Sequence, residues 1–275
     1  MSPMPLRGNH MPPRNRAKRV PSRFSRNPLL RLILLLFLAA LPEGPVNAAA
    51  SVVTSIRSDD FADLRTVEST VIELVDRVTP AVVRIDAGSR FRTSASGVIF
   101  DPSGLVLTAG HVVRDLPRRL WVELPDGTRR RGRVISGFFE GDVDLGLIEI
   151  LRTDADAGTA WPFIPLAAAR SVDQGEWIIA LGHAASISGQ DFEPAAARVG
   201  RVIAIEGAEL AFDAPIDAGD SGGPILDLDG DIVGIASRCG HETWQNLATS
   251  IDGIHAWMPS LLDPEVQSPD HDLWE

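Results

Sequence analysis

The sequence of 275 residues contains a single cysteine, Cys239, and this scarcity excludes two common ways of stabilising a fold. One cysteine cannot form an internal disulfide, so a hydrophobic core must hold the domain together without a covalent cross-link. No spacing of cysteine and histidine resembles a structural zinc site. We therefore expect no metal and no other cofactor. The sequence also lacks an internal repeat.

Long helical patterns between the strands are absent as well. Short apolar runs such as "SGVIF", "LWVEL" and "EWIIALG" recur along the chain, each bounded by glycine, proline or aspartate. About a dozen runs at this spacing predict an all-β sandwich or barrels rather than a parallel α/β sheet. A short helix is predicted from residue 67 and a closing helix over "DGIHAWMPSLL". We expect a linker at residues 51–66, a folded domain at 67–262 and a polar tail at 263–275.

Charge is distributed unevenly between the N-terminus and the remainder of the chain. Residues 1–50 contain eight basic groups and one acid. This leaves 18 basic and 36 acidic groups, a net charge of −18, for residues 51–275. A domain this acidic repels phosphate backbones, so nucleic acid is not an expected partner.

The N-terminal segment has the three-part pattern of a secretory signal peptide. A basic stretch that ends at Arg31 precedes the apolar run "LILLLFLAAL", and small residues follow near Ala48 and Ala50. The apolar run has ten residues, which is short for a membrane span of about 20. We predict that residues 1–50 form a signal peptide and that the protein is exported, to the periplasm or the extracellular space. The alternative is an uncleaved N-terminal anchor, which would supply the only membrane contact.

The glycine-rich segment "DAGDSGGPILDLDG" contains the first candidate catalytic residue, Ser221. Glycines on both sides let the backbone turn tightly and come close to a substrate. The N–H groups of Gly219 and Ser221 could then converge on one point, as an oxyanion hole requires. The alternative is a loop that merely ends a strand.

A serine nucleophile needs a histidine that takes its proton and a buried acid that orients the histidine. His111 lies in "LTAGHVV", at the end of an apolar run, and could otherwise be a core histidine. Asp144 adjoins the apolar strand "LGLIEI", with Asp142 as its competitor; either could otherwise be a solvated turn acid. The order His111, Asp144, Ser221 argues against an α/β-hydrolase, in which the acid and histidine follow the serine.

Together these motifs resemble the trypsin-like (chymotrypsin-fold) serine peptidases, and within them the HtrA/Deg branch of exported bacterial proteases. "SGVIFDPSGLVLTAGHVV", "DVDLGLIEI" and "FDAPIDAGDSGGPILDLDGDIVGI" match that branch in order. The resemblance implies two six-stranded antiparallel β-barrels that divide near residues 160–175, with a short N-terminal and a C-terminal helix. It implies a serine endopeptidase for protein or peptide substrates, with a possible role in protein quality control. His111 would be the general base, Asp144 its orienting acid and Ser221 the nucleophile.

The resemblance also implies a substrate cleft around "GIASRCG". Ser237 would support Asp144 by a hydrogen bond. Arg238 and Cys239 would face the bound peptide, and Pro215 and Ile216 would lie at the specificity pocket. For these residues the alternative is ordinary loop packing.

Three features depart from the pattern of the branch. Thirteen residues follow Leu262, so no PDZ domain is expected after the protease domain. "LGHAASI" replaces the usual Gly-Asn-Pro pattern, and Asp220 stands where the branch usually has asparagine. We expect Asp220 to bind an internal donor, either an arginine or loop N–H groups. The first two departures motivate an alternative function, a catalytically silent chaperone-like or peptide-binding protein. An oligomer is compatible with the sequence but not required by it.

Overall fold

The computed structural model describes residues 58–86, 94–114, 116–156, 158–184, 195–240 and 245–263. The predicted signal peptide or anchor at residues 1–50 lies outside these ranges, as does the polar tail after residue 263. Within the described ranges, no helix has the length and apolar character needed to cross a membrane.

Helix α1, Ser58–Val78, is longer than predicted and ends in a 3-10 turn at Thr79–Ala81. The assignment of a linker was therefore wrong for residues 58–66, while residues 51–57 lie outside the described ranges. The polar composition suggested a linker, but a helix on the surface needs no apolar stripe along its whole length. Leu64 is 61% exposed, whereas Leu74 and Val78, near the end of the helix, are buried.

The first barrel contains six antiparallel strands, closed in the order β1-β2-β3-β6-β5-β4. A short helix, α2, Gly110–Arg114, follows the third strand. The strands are β1 (Val82–Asp86), β2 (Ser94–Ile99), β3 (Leu105–Thr108), β4 (Arg119–Glu123), β5 (Arg129–Glu140) and β6 (Val143–Ile150).

The second barrel repeats this design with six further antiparallel strands, closed in the order β10-β11-β12-β9-β8-β7. The predicted fold class, two six-stranded barrels with a helix at each end, is confirmed. The strands are β7 (Trp177–Gly182), β8 (Ala196–Glu206), β9 (Glu209–Phe212), β10 (Pro224–Leu226), β11 (Ile232–Arg238) and β12 (Asn246–Ser250). They are followed by helix α3, Ile251–Leu262.

The barrels meet along strands that are buried on both faces. Seven of the eight residues of β6 are buried, as are six of the seven residues of β11. A strand whose two faces are both covered has a continuous apolar run instead of an alternating one. Helix α3 contacts β5 and β6 of the first barrel and β11 and β12 of the second. Buried polar residues, among them Asp144, Ser237 and Thr249, lie where the barrels come together.

Candidate active site

Partly buried His111 and buried Asp144 form a hydrogen-bonded pair in the first barrel. His111 is the second residue of α2, and Asp144 is the second residue of β6. The Nδ1 atom of His111 lies 2.7 Å from Oδ2 of Asp144, and the backbone N–H of His111 donates to Oδ1 at 2.8 Å. Asp144 is 3% exposed, whereas its competitor Asp142 lies on the surface. Asp144 is therefore the acid that contacts His111.

The second barrel supplies two further contacts to Asp144. The hydroxyl of Ser237 donates to Oδ2 at 2.5 Å, and the backbone N–H of Asp144 donates to Oγ1 of Thr249 at 3.0 Å. Burial would raise the pKa of Asp144, but the hydrogen bonds from His111 and Ser237 outweigh burial and lower it. Because Asp144 is a carboxylate that only accepts, Nδ1 of His111 carries the proton and Nε2 is left as the basic nitrogen.

Ser221 lies on the turn that precedes β10 and is half-buried. Its hydroxyl donates to the backbone carbonyl of Ser237 at 3.1 Å. Among the described residues, the hydroxyl makes no hydrogen bond to the ring of His111. The structure thus brings Ser237 into contact with both Asp144 and Ser221, while Ser221 and the His111 ring are not hydrogen-bonded to each other.

The turn around Ser221 carries two backbone donors, the N–H groups of Gly219 and Ser221, that have no acceptor among the described residues. Gly219 adopts φ +98° and Gly222 φ +86°, a region that favours glycine. A Cβ on Gly222 would lie 2.1 Å from Oγ1 of Thr108 and 2.2 Å from the carbonyl oxygen of Ser96. Only glycine permits this approach of the turn to the first barrel.

Asp220 is enclosed behind the same turn, 1% exposed, and it has internal donors as expected. Its Oδ2 accepts from the N–H of Asp217 at 2.8 Å. Oδ2 also lies 3.1 Å from Nη1 of Arg198, whose side chain is 12% exposed; the two groups are close but not aligned as a hydrogen bond. Burial raises the pKa of Asp220. The Asp217 N–H and Arg198 act to lower the pKa, but burial outweighs them.

Of the residues expected at the substrate cleft, two are in contact. The thiol of Cys239 donates to the carbonyl of Ile216 at 3.3 Å, and the neighbouring Pro215 is exposed. The guanidinium of Arg238 is bound to Glu209 at 2.8 Å. Cys239 and Ile216 are therefore in contact, whereas the guanidinium of Arg238 is paired with Glu209.

An exposed apolar side chain adjoins His111. Phe139, at the end of β5, is 48% exposed, and its ring lies edge-on to the imidazole at 5.9 Å between centroids. The guanidinium of Arg114 lies 4.9 Å from the centre of the same ring. A bound chain could rest on this surface beside His111.

Sequence reasoning missed Ser96, Phe139, Arg198 and Thr249. A signal existed for Arg198, because residues 198, 200 and 202 of β8 point inward, and an arginine on a buried face needs an acid. The partners of Ser96 and Thr249 lie 123 and 105 residues away, so no local pattern reveals them. Within the described ranges, no group of three histidine, cysteine, aspartate or glutamate side chains could hold a metal ion.

Comparison with known proteins assigns the chain to a family. Residues 95–235, slightly more than half of the chain, match the model of the trypsin-like peptidase domain. The chain belongs to the trypsin-like peptidase family. It is 29% identical to Serine protease HTRA4 of Mus musculus, over 71% of this chain and 41% of that protein. It is 30% identical to Serine protease HTRA1 of Xenopus laevis, over 60% of this chain and 37% of that protein.

A solved structure gives the same result. The crystal structure of the serine endoprotease from Yersinia pestis matches with a TM-score of 0.58 and 25% identity, over 69% of this chain and 65% of that chain. The family is one of peptidases, the two curated relatives are HTRA serine proteases, and the solved structure is a serine endoprotease, so all of them support a serine-type endopeptidase. The chain spans less than half the length of the curated relatives it matches.

Proposed function

We propose that this protein is an exported serine endopeptidase that cleaves peptide bonds through an acyl-enzyme on Ser221. The observation that carries the proposal is the buried Asp144 carboxylate, which binds Nδ1 of His111 and so leaves Nε2 basic. Two further features support it. Ser221 stands on a glycine-flanked turn, and the N–H groups of Gly219 and Ser221 have no acceptor among the described residues.

Acylation begins when the Ser221 hydroxyl turns from the Ser237 carbonyl towards His111. Nε2 takes the proton as Oγ attacks the carbonyl carbon of the scissile bond. The carbonyl oxygen becomes an oxyanion, which accepts hydrogen bonds from the N–H groups of Gly219 and Ser221. When the tetrahedral intermediate collapses, the C–N bond breaks and the leaving amine takes the proton from Nε2.

Deacylation repeats these steps with water in place of the serine. Nε2 accepts a proton from the water as the hydroxide attacks the ester carbon. Collapse returns the electron pair to Oγ, which takes the proton back and regenerates Ser221. In both halves Asp144 stabilises the imidazolium without itself becoming protonated, and the Ser237 hydroxyl holds Asp144 in place.

Export is part of the proposal and rests on the basic, apolar and small-residue segments of residues 1–50. Protein or peptide substrates are supported by the similarity to HTRA serine proteases; a role in protein quality control rests on the resemblance of the sequence motifs to the HtrA/Deg branch alone. Cell fractionation followed by N-terminal sequencing tests export. A mature chain that begins near Ala48 or Ala50 is expected, and recovery of the intact chain from the cytoplasm would contradict it.

Turnover and labelling together test the chemistry. The purified protein is incubated with unfolded casein and, separately, with a fluorophosphonate probe. Wild type and Ser69→Ala, a control on the exposed face of α1, should degrade casein and become labelled. Ser221→Ala should do neither, because the probe bonds to the serine oxygen. Labelling that survives in Ser221→Ala would refute the nucleophile assignment.

A catalytically silent peptide-binding or chaperone-like protein is the second candidate. The observation in its favour is that the Ser221 hydroxyl is bound to the Ser237 carbonyl and not to His111. This candidate predicts that the wild-type protein prevents aggregation of an unfolded client without cleaving any peptide.

A further inference from the structure

We propose that Ser96 is a positioning residue that holds the two oxyanion-hole residues in register; the inference rests on the proposed function. Ser96 lies on β2 of the first barrel and is fully buried. Gly219 and Ser221 lie on the turn that precedes β10 in the second barrel. Both residues give their backbone carbonyl to Ser96.

The two contacts come from different atoms of the serine. The hydroxyl of Ser96 donates to the carbonyl oxygen of Gly219 at 2.7 Å. The backbone N–H of Ser96 donates to the carbonyl oxygen of Ser221 at 2.9 Å. Because one rigid strand residue binds both carbonyls, it fixes the spacing of the two residues whose N–H groups would receive the oxyanion. The backbone contact is available to any residue at position 96, but the hydroxyl contact is not.

The remaining polar atoms of Ser96 are also engaged. Its hydroxyl oxygen accepts from the backbone N–H of His183 at 2.8 Å, and its carbonyl accepts from the Thr108 hydroxyl at 2.7 Å. A hydroxyl that accepts one hydrogen bond while it donates another is polarised, and this strengthens both hydrogen bonds. The His183 contact also orients the hydroxyl, so that its hydrogen is directed to Gly219.

The turn needs this external support. Gly219 has no side chain that could restrict its backbone, and it adopts φ +98°. Internal bonds of the turn link Asp220 to Asp217 and Gly223 to Asp220, but none of them binds the Gly219 carbonyl. Without the Ser96 hydroxyl, this carbonyl loses its donor and the peptide planes on either side can rotate. Donors must stand about 2.7–3.1 Å from the oxyanion position, so a small rotation misdirects them.

The kinetic test compares Ser96→Ala with Ser136→Ala. Ser136 is a matched control, because its buried hydroxyl also donates to a distant backbone carbonyl, that of Leu261, at 2.6 Å. We expect Ser96→Ala to lower kcat about 10- to 100-fold while KM for a peptide substrate changes less than about threefold. Ser136→Ala should leave both constants within about twofold, although it also loses a buried hydrogen bond; Ser96→Ala loses two, to Gly219 and from His183, and should lower Tm further. Wild-type kcat in Ser96→Ala would overturn the proposal.

A second measurement needs no turnover and separates this inference from the proposed function. The amide NMR signals of Gly219 and Ser221 are compared in wild type, Ser96→Ala and Ser136→Ala. We expect large shifts of both signals in Ser96→Ala alone. Unchanged signals would overturn the positioning role even if the protein is a protease. Conversely, shifted signals in a protein without any turnover would leave Ser96 as the residue that positions the turn and refute only the proposed function.

Discussion

Replacing Arg198 with methionine removes the positive charge beside buried Asp220 while keeping most of the side-chain volume. Nη1 of Arg198 and Oδ2 of Asp220 are 3.1 Å apart, and the two side chains are 12% and 1% exposed. At an effective dielectric constant of 20, unit charges at this distance attract each other by about 5 kcal/mol. Removal of one partner from a buried pair costs about 3–5 kcal/mol. The Asp217 N–H still binds the carboxylate, so we expect the lower value.

The loss of stability should depend on pH. The pKa of Asp220 is already raised by burial in the wild type, and without Arg198 it rises further. A carboxyl group whose pKa is higher in the folded than in the unfolded state destabilises the folded protein when it is ionised, and it does so least when it is protonated. The difference in free energy of unfolding between wild type and Arg198→Met should therefore be small at low pH. It should grow as the pH rises through the pKa that Asp220 has in the folded wild type. In Arg198→Met, a second change, Asp220→Asn, should remove this dependence.

Urea denaturation at several pH values measures the effect. Arg133→Met is the matched control, because Arg133 pairs with Glu149 at 2.5 Å with side chains that are 56% and 36% exposed. An exposed pair contributes about 0–1 kcal/mol. We expect a loss of about 3 kcal/mol for Arg198→Met at pH 8. A loss equal to that of Arg133→Met, without pH dependence, would refute the importance of the buried pair.

Three further predictions concern the turn and the cleft. Asp144→Asn should lower kcat by about 10⁴-fold; because the pKa of Asp144 is lowered, the variant should also lose less stability than wild type as the pH falls through that pKa. Gly222→Ala should cost about 3 kcal/mol or more, because φ is +86° and the new Cβ meets oxygens of β2 and β3. Gly127→Ala, at φ +79° with no atom within 4 Å, should cost about 1 kcal/mol; equal losses in thermal denaturation would contradict the steric argument. Burial, and then the charges of Asp217 and Asp220, raise the pKa of the Cys239 thiol. Iodoacetamide should therefore react with Cys239 more slowly than with free cysteine, and Asp217→Asn should accelerate the reaction, as followed by intact mass; an unchanged rate would contradict the electrostatic effect.

The sequence predicts the parts of the fold that depend on local pattern. The alternating and continuous apolar runs predicted the strands of a sandwich or barrels, and the resemblance to trypsin-like serine peptidases implied the two barrels, which the structure confirms. The helix start at Ser58 was missed because its residues are polar and surface helices have weak periodicity. The contact of Ser96 with Gly219 and that of Thr249 with Asp144 could not be predicted, because each joins positions more than 100 residues apart across two barrels.

The same distinction applies to the candidate site. The contact of Asp144 with His111 followed from an acid next to a buried strand, because an enclosed carboxylate requires a partner. The direction of the Ser221 hydroxyl did not follow from the sequence. It depends on a rotation about one bond and on a carbonyl contributed by β11. Arg198 could be predicted only in part. Its position among the inward-facing residues of β8 indicates that it is buried, but it does not indicate which acid it contacts.

The most direct measurement is tandem mass spectrometry of the protein quenched during turnover of an activated ester substrate. We expect one acyl group per chain, attached to Ser221, which disappears from wild type when substrate is exhausted. The same group should accumulate less in His111→Ala, where the base is missing. An acyl group found on Cys239, or turnover that continues in Ser221→Ala, would contradict the assignment of Ser221 as the nucleophile.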